Sequence, residues 1–157
     1  MSGYADGETL LLAVVRLHAN YNSENTSRGN WRILNSGKSP YYVVLRPGPF
    51  EVELQSIGGI SGSVATEVTH WQTQLMVYQR YVDDGTTATN IQARVAEIIA
   101  QVQKWRRLAD TADIIQKARV VGGSELVELG PEGQVPIWLR WIINVNWDEE
   151  RQITFSE

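Results

Sequence analysis

The sequence has 157 residues, the usual length of one domain with a single hydrophobic core. A hydrophobic fraction of 43% and a charged fraction of 20% are typical of a globular protein and exclude a disordered one. Cysteine is absent, which excludes disulfides, thiolate metal sites and a cysteine nucleophile. The net charge of −4 argues against a general nucleic-acid binder, and no apolar run approaches the roughly 20 residues of a membrane helix.

The first predicted element is a helix over residues 8–22, opened by Asp6 or Gly7. Its apolar stripe at helical spacing consists of Leu10, Val14, Leu17 and Tyr21. Acidic residues precede the short apolar run, so we do not expect a signal peptide. A polar loop is predicted next, over residues 22–30.

Residues 41–47, "YYVVLRP", predict a strand because they are rich in aromatic and β-branched side chains. The Gly- and Pro-rich stretch at about 47–64 predicts a long mobile excursion or a hairpin between strands. Within it, "GGISGS" at 58–63 lacks the lysine of a nucleotide-binding loop, so we interpret it as a flexible tip.

Strict alternation predicts the next strand, at about residues 66–82. One face would carry Trp71, Thr73, Leu75, Val77 and Tyr81, and the other His70, Gln72, Gln74, Tyr78 and Arg80. An acidic turn ends the strand, and the spacing of Thr89 and Gln92 predicts a capping box for a following helix. The apolar stripe of that helix is Ile91, Val95, Ile98, Val102 and Trp105.

Three more strands are predicted towards the C-terminus. Residues 114–123 end in a Gly-Gly turn, and "ELVEL" at 125–129 is expected to pair with them. Residues 137–147 alternate strictly, with Leu139 and Trp141 on one face and Trp138 and Arg140 on the other. The polar tail, residues 148–157, is expected to fray.

This order of elements predicts a single α+β domain over residues 1–157. We expect an antiparallel or mixed sheet with both helices on one face. The other face would be left to water or to another subunit, because antiparallel sheets tolerate one solvated side. Trp138 and Arg140 on that face are typical of an interface centre, unless a C-terminal segment of the same chain covers them.

A search for catalytic chemistry assigns no residue to catalysis, to a cofactor or to a metal. The two histidines, His18 and His70, show no ligand spacing and are interpreted as unconnected polar side chains. Glu51 and Glu53 would share a strand face, but nothing marks them as an acid/base pair. The sequence therefore does not predict an enzyme.

The layout of the chain resembles the tail terminator, or tail completion, proteins of long-tailed phages, the lambda-type family. The resemblance rests on the order of elements: an N-terminal amphipathic helix, a strand, a variable Gly-rich stretch, an alternating strand, a capped helix and a closing strand. The stretches that carry it are "YYVVLRPG" at 41–48, "HWQTQLMVYQRYV" at 70–82, "TNIQARVAEIIAQVQKWRRL" at 89–108 and "PIWLRWIINVNW" at 136–147.

The resemblance implies a structural virion protein of the tail or neck, assembled in the host cytoplasm. Six subunits would form a ring on the tail tube protein, end tube growth and join the tail to a head-completion or connector protein. It implies no cofactor, no catalysis and no membrane, and DNA would pass nearby without specific binding. The residues expected at interfaces are Gly58, Gly59, Gly62, Arg80, Arg106, Arg107, Trp138 and Arg140.

Two alternatives remain open at this point. Within structural proteins, the chain could be a different neck or head-completion component. From another class, it could be a small-ligand-binding α+β domain in which the polar strand face and Trp138 line a pocket. The basic residues Lys104, Arg106 and Arg107 also have a simpler interpretation, as the solvated end of a helix.

Overall fold

A computed structural model of the protein describes residues 4–29, 39–58, 64–106, 108 and 115–154. Over these ranges the chain forms two helices and six strands. The helices are α1 (Tyr4–Arg16) and α2 (Asp84–Gln103). The strands are β1 (Thr26–Arg28), β2 (Tyr41–Gly58), β3 (Val64–Arg80), β4 (Ile115–Gly123), β5 (Val127–Leu129) and β6 (Trp138–Thr154).

The strands form one mixed sheet in the order β1-β2-β3-β6-β4. β1 runs parallel to β2, and the remaining pairings are antiparallel. β4 and β5 share one side of β6, where β4 pairs with residues 143–149 and β5 with residues 138–140. The predicted α+β class with a mixed sheet is confirmed, but "ELVEL" was wrongly expected to pair with β4.

Both helices pack on one face of the sheet, which we call the helix face. Alternate residues of the central strands point into this core because side chains along a strand alternate between its two faces. The buried core on this face includes Leu11 and Val15 of α1, Ile91, Ile98 and Val102 of α2, and Val43, Leu45, Leu75, Val77, Ile143, Val145 and Trp147 of the strands. The prediction that both helices lie on the same side of the sheet is confirmed.

The second face of the sheet carries a smaller buried cluster of its own. Tyr42, Val44, Met76, Tyr78 and Trp138 are at most 8% exposed in the single chain. The expectation that this whole face is left open is therefore wrong for the half that contains these residues. The apolar run "YYVVL" is continuous rather than alternating, which is typical of a strand buried on both faces.

The first helix begins and ends earlier than its sequence pattern predicted. Asp6 and Gly7 lie within α1 and do not cap it, and Leu17 follows the helix and is 59% exposed. Gly7 packs directly on the indole of Trp147, where an added Cβ would lie 2.0 Å from Cη2. Close contact between helix and sheet thus requires a residue without a side chain at this position.

The second helix also begins earlier, at Asp84 instead of after Thr89. Its N-cap is Asp83, whose carboxylate accepts a hydrogen bond of 2.7 Å from the backbone N–H of Thr86. The predicted capping box of Thr89 and Gln92 is wrong because both residues lie inside the helix. The apolar stripe itself is confirmed, except that Trp105 follows the helix and is 37% exposed.

Three segments that were predicted as irregular belong to strands. Residues 47–58 extend β2, and the β-bulge between Pro47 and Phe50 accommodates the proline that cannot donate a ladder bond. The polar loop at 22–30 contains β1, and the tail extends β6 to Thr154. The expectation of a mobile excursion is thus wrong over residues 47–58, whereas the alternative of a hairpin between strands is confirmed by the antiparallel pairing of β2 with β3. Residues 59–63 lie outside the described ranges.

Candidate functional site

The far end of the β2–β3 hairpin projects an apolar row into solvent. We call residues 50–58 of β2 and 64–71 of β3 the arm. On its helix face, Phe50, Val52 and Leu54 are 60%, 57% and 48% exposed. In the described part of the chain, β1 pairs only with Val43, Val44 and Leu45, so it does not reach the arm. An exposed apolar row on a strand is a feature that monomeric proteins normally avoid.

A row of aromatic rings connects the arm to the buried core. The ring of Phe50 lies 5.1 Å from that of Trp71, which stacks on Trp147 at 5.8 Å. The indole N–H of Trp147 donates a 3.2 Å hydrogen bond to the hydroxyl of Thr73. Aromatic pairs at these distances add about 0.5–1.5 kcal/mol each beyond their burial. The root of the arm is therefore held firmly, although its apolar row is exposed.

On the second face of the arm, one histidine joins three strands. Nδ1 of His70 lies 2.7 Å from a carboxylate oxygen of Asp148 in β6, and Nε2 lies 3.0 Å from one of Glu53 in β2. The hydrogen bonds with Glu53 and Asp148 raise the pKa of His70 above its ordinary value. The interpretation of His70 as an unconnected side chain is wrong, because the sheet register brings both carboxylates to its ring.

This trio is not arranged as a metal site. The two carboxylates engage opposite nitrogens of the ring and so do not converge on one point with it. Among the residues that the structure describes, no group of three or more His, Asp or Glu side chains is placed to hold a metal ion. The other histidine, His18, accepts a 3.2 Å hydrogen bond from the backbone N–H of Asn20 and contacts the ring of Tyr21.

A cleft of about 320 Å³ opens beside the root of the arm. Phe50 and Trp71 supply apolar lining, while Glu51, His70 and Asn146 supply polar groups. The side-chain amide of Gln72, which also lines the cleft, donates a 3.1 Å hydrogen bond to Asn146. This cleft could accept a small molecule that has one flat apolar surface and a few polar groups.

The opposite edge of the sheet, β4, has a different surface. On the helix face, a groove of about 360 Å³ lies between α2 and β4, lined by Val95, Ile99, Val120 and Trp141 among others. Next to it, the basic side chains of Lys117 and Arg119 are exposed. Lys117 has a φ of 55° beside a bulge in β4, a conformation that non-glycine residues rarely adopt.

A polar network fixes α2 to the N-terminal segment at the base of the sheet. The Tyr21 hydroxyl donates a 2.9 Å hydrogen bond to Glu97, and Arg94 contacts the same carboxylate at 3.3 Å. Burial raises the pKa of Tyr21 strongly, and its bond to Glu97 raises it further. Burial opposes ionisation of Glu97, but hydrogen bonds from Tyr21 and Asn20 and the charge of Arg94 hold its pKa below the ordinary value.

The predicted interface residues do not form one surface. Arg80 lies over the Trp138 ring at 4.9 Å, and Arg140 opposes the rise in pKa that burial gives Tyr78. Both arginines are half-buried and lie beside the buried cluster on the second face. Trp138 is only 8% exposed, which corrects its assignment as an exposed interface centre.

The remaining predicted interface residues lie elsewhere. Gly58 ends β2 at the far end of the arm. Arg106 follows α2, and its backbone carbonyl accepts a 2.6 Å hydrogen bond from Ala118. Gly59, Gly62 and Arg107 lie outside the described residues.

Sequence reasoning missed the exposed row of the arm. The signal for it is the alternation "FEVEL" at 50–54, which predicts a strand with one apolar face. The two prolines and the glycine just before it outweighed that signal. No pattern within the sequence could have linked Glu53, His70 and Asp148, because their contact depends on strand register.

No protein-family model matches the sequence, and no curated protein matches it. None of the described helices combines the length and apolar character that a membrane-spanning helix needs.

Proposed function

We propose that this protein is a tail terminator of a long-tailed phage. Six copies would close into a ring on the last ring of the tail tube, stop tube growth and present a docking surface to a head-completion or connector protein. The observation that carries the proposal is the arm, whose row of Phe50, Val52 and Leu54 stays exposed in the single chain. Exposed apolar patches of this kind mark protein–protein contacts.

Two further features support a role in assembly. The sheet carries both helices on one face, in the order of elements on which the resemblance to lambda-type tail terminators rests. A net charge of −4 also suits a subunit beside a channel that DNA must pass, because neutralised phosphates are what create affinity for DNA. The proposal assigns no catalytic step and no cofactor to the chain.

Electron microscopy of the purified protein tests the ring directly. We expect closed rings with a central hole at high concentration. When the protein is added to the polymerising tail tube protein of the same phage, tubes should stop growing and carry the ring at one end. Particles that stay single at every concentration, and tubes that elongate unhindered, would contradict the proposal.

The cleft beside His70 favours one alternative, a small-ligand-binding domain. It combines the apolar surface of Phe50 and Trp71 with polar groups from His70 and Asn146. A binding domain of this kind would remain a monomer or dimer, and a metabolite would raise its melting temperature. A thermal-shift screen against a metabolite library therefore separates the two functions: stabilisation without assembly favours ligand binding.

A different neck component would also assemble, but in another place. Such a protein would bind the connector at the head and leave tube growth unchanged. The tube-elongation assay distinguishes it from a terminator, because only a terminator stops growth at the tube end. Charge reversal at Arg106 and Arg107 remains a prediction from the sequence: it should impair assembly and leave the monomer folded.

A further inference from the structure

The cleft beside the root of the arm lies where β2 departs from its regular pairing with β3. The register of this pairing shifts between Pro47 and Phe50. Two residues of β2, Gly48 and Pro49, therefore lie opposite the single residue Gln72 of β3. A bulge of this kind re-aims the side chains around it and is common beside functional sites. The cleft at this bulge has a volume of about 320 Å³, at the lower end of the range for ligand sites.

The glycine in the bulge leaves room for a polar group of the cleft. A Cβ at Gly48 would lie 3.0 Å from the side-chain oxygen of Gln72, so a larger residue would crowd this amide. The amide N–H of Gln72 donates a 3.1 Å hydrogen bond to the side-chain oxygen of Asn146. That bond fixes the amide and leaves its own oxygen as a hydrogen-bond acceptor beside the cleft.

A carboxylate of the arm lies next to this acceptor. Glu51 is paired with His70 in the strand register, so it is a diagonal neighbour of Gln72 on the second face. Both side chains line the cleft and can contact one small ligand. Within the described ranges of the chain, Glu51 forms no ion pair. The ring nitrogens of His70 are both engaged by other carboxylates, which leaves Glu51 as the charged group that a ligand can contact.

The surroundings of the cleft are negatively charged. Four carboxylates lie on the second face of β2 and β6: Glu51, Glu53, Asp148 and Glu150. A protonated His70 offsets one of them. On β4, Arg119 is paired with Asn146 and donates a 3.4 Å hydrogen bond to the carbonyl of Lys117. With both basic residues of β4 counted, the local charge stays negative, which favours a cationic ligand.

We propose that this cleft binds a small organic molecule through a planar cationic group, an amidinium or a guanidinium. The Glu51 carboxylate would accept two parallel N–H bonds from such a group, and the Gln72 oxygen would accept a third. Apolar surface from Pro49, Phe50 and Trp71 favours an organic cation over a hydrated metal ion. The proposal names the ligand class for the cleft on which the alternative, ligand-binding function rests, and it does not require the ring.

Three probes of the same shape and different charge test the ligand class. Benzamidine is a cation, benzamide is neutral and benzoate is an anion. Their binding is followed by nuclear magnetic resonance on the dilute, isotope-labelled full chain. We expect benzamidine to shift the side-chain amide signals of Gln72 and Asn146, and the other two probes to bind about tenfold more weakly or worse. Equal binding of benzamide, or benzamidine shifts confined to other parts of the chain, would overturn the proposal.

A matched pair of variants tests the role of the carboxylate. Glu51→Gln keeps the size of the side chain and removes its charge, so it should weaken benzamidine binding by about fivefold or more. Glu132→Gln, exposed in the loop between β5 and β6, is the control and should bind as wild type does. Both positions are exposed, so we expect unchanged melting temperatures. Undiminished binding by Glu51→Gln would show that the cation binds elsewhere and would overturn the proposal.

The pH dependence of binding provides an independent test. The hydrogen bonds with Glu53 and Asp148 raise the pKa of His70, and its positive charge lies beside Glu51. That charge repels a cationic ligand at pH 6 and is lost as the pH rises through the raised value. Benzamidine, which stays charged, should therefore bind about threefold more tightly at pH 9 than at pH 6. His70→Gln should remove this dependence, and tighter binding at pH 6 would contradict the site.

These measurements use the dissociated monomer, so they separate the cleft from the proposed function. Absence of benzamidine binding at millimolar concentration would overturn the cation site and leave the terminator proposal standing. Charge-dependent binding in a protein that never forms rings would support the cation site and count against a terminator.

Discussion

The base and the arm of the β2–β3 hairpin consist of the same two strands but bury their side chains differently. At the base, Val43 and Leu45 are buried on the helix face, and Tyr42 and Val44 are buried on the second face. On the arm, the same side-chain alternation continues, yet the helix-face row is about half exposed. The arm thus has the alternating pattern of a strand with one buried face, but its apolar face remains partly exposed.

The difference indicates which part of the hairpin the chain buries by itself and which part it leaves exposed. Complete burial of a Val, Leu or Phe side chain contributes about 1.5–3 kcal/mol relative to full exposure. In the single chain, the three exposed residues of the arm contribute only roughly half of this stabilisation, and burial against a partner would supply the rest. The base therefore serves folding, and the arm is available for association.

The sharpest test of this contrast compares two leucines in the same strand. Leu45→Ala, at a fully buried position, should lower the free energy of unfolding by about 2–5 kcal/mol, because it leaves a cavity in the core. Leu54→Ala, at a position that is 48% exposed, should change it by about 0.5 kcal/mol or less. Urea denaturation of dilute, dissociated protein gives both values. Equal losses would mean that the arm is part of the folding core.

A smaller effect is expected where α1 covers the root of the arm. Gly7→Ala would place a Cβ 2.0 Å from Trp147, so the helix must shift. We expect a loss of about 1–3 kcal/mol in the free energy of unfolding, as for other overpacked cores. Gly85→Ala is the matched control in the first turn of α2, where the nearest atom is 3.8 Å away and a gain of about 0.4–1 kcal/mol is expected. A neutral Gly7→Ala would show that this contact is loose.

The smallest effect concerns the pH dependence of the arm. The pKa of His70 is raised in the folded state, so its bonds to Glu53 and Asp148 stabilise the fold below its ordinary pKa of 6.5. That stabilisation is lost as the pH rises through the raised value. His70→Gln should therefore lower the melting temperature more at pH 6 than at pH 9. An equal decrease in melting temperature at both pH values would show that the imidazole stabilises the fold by packing alone and not by its charge.

The sequence predicted the elements whose local pattern and burial agree. The stripe of α2 and the alternation of β3 and β6 met those conditions, and the single-sided packing of the helices followed from them. The ends of elements were predicted less well. Gly7 lies within α1 because it packs against Trp147, and α2 begins before Thr89 because Asp83 is its N-cap. Residues 47–58 were expected to form either a mobile excursion or a hairpin, and they form the hairpin because a bulge accommodates the prolines within β2.

The candidate site was harder to predict because it depends on register. Arg80 and Trp138 were expected at an interface, yet Trp138 belongs to the buried cluster on the second face and the half-buried Arg80 lies over its ring. The exposed row of the arm and the basic residues of β4 are far apart in the sequence. Only the strand order shows that β2 and β4 lie towards opposite ends of one sheet.

The molar mass of the protein as a function of concentration tests the central claim most directly. Multi-angle light scattering should show wild type rising from 17.7 kDa to a ring several times heavier, whereas Val52→Glu, at a 57% exposed position, should stay at 17.7 kDa with an unchanged circular dichroism spectrum. A wild type that remains at 17.7 kDa throughout, or a Val52→Glu variant that assembles as readily as wild type, would contradict the account.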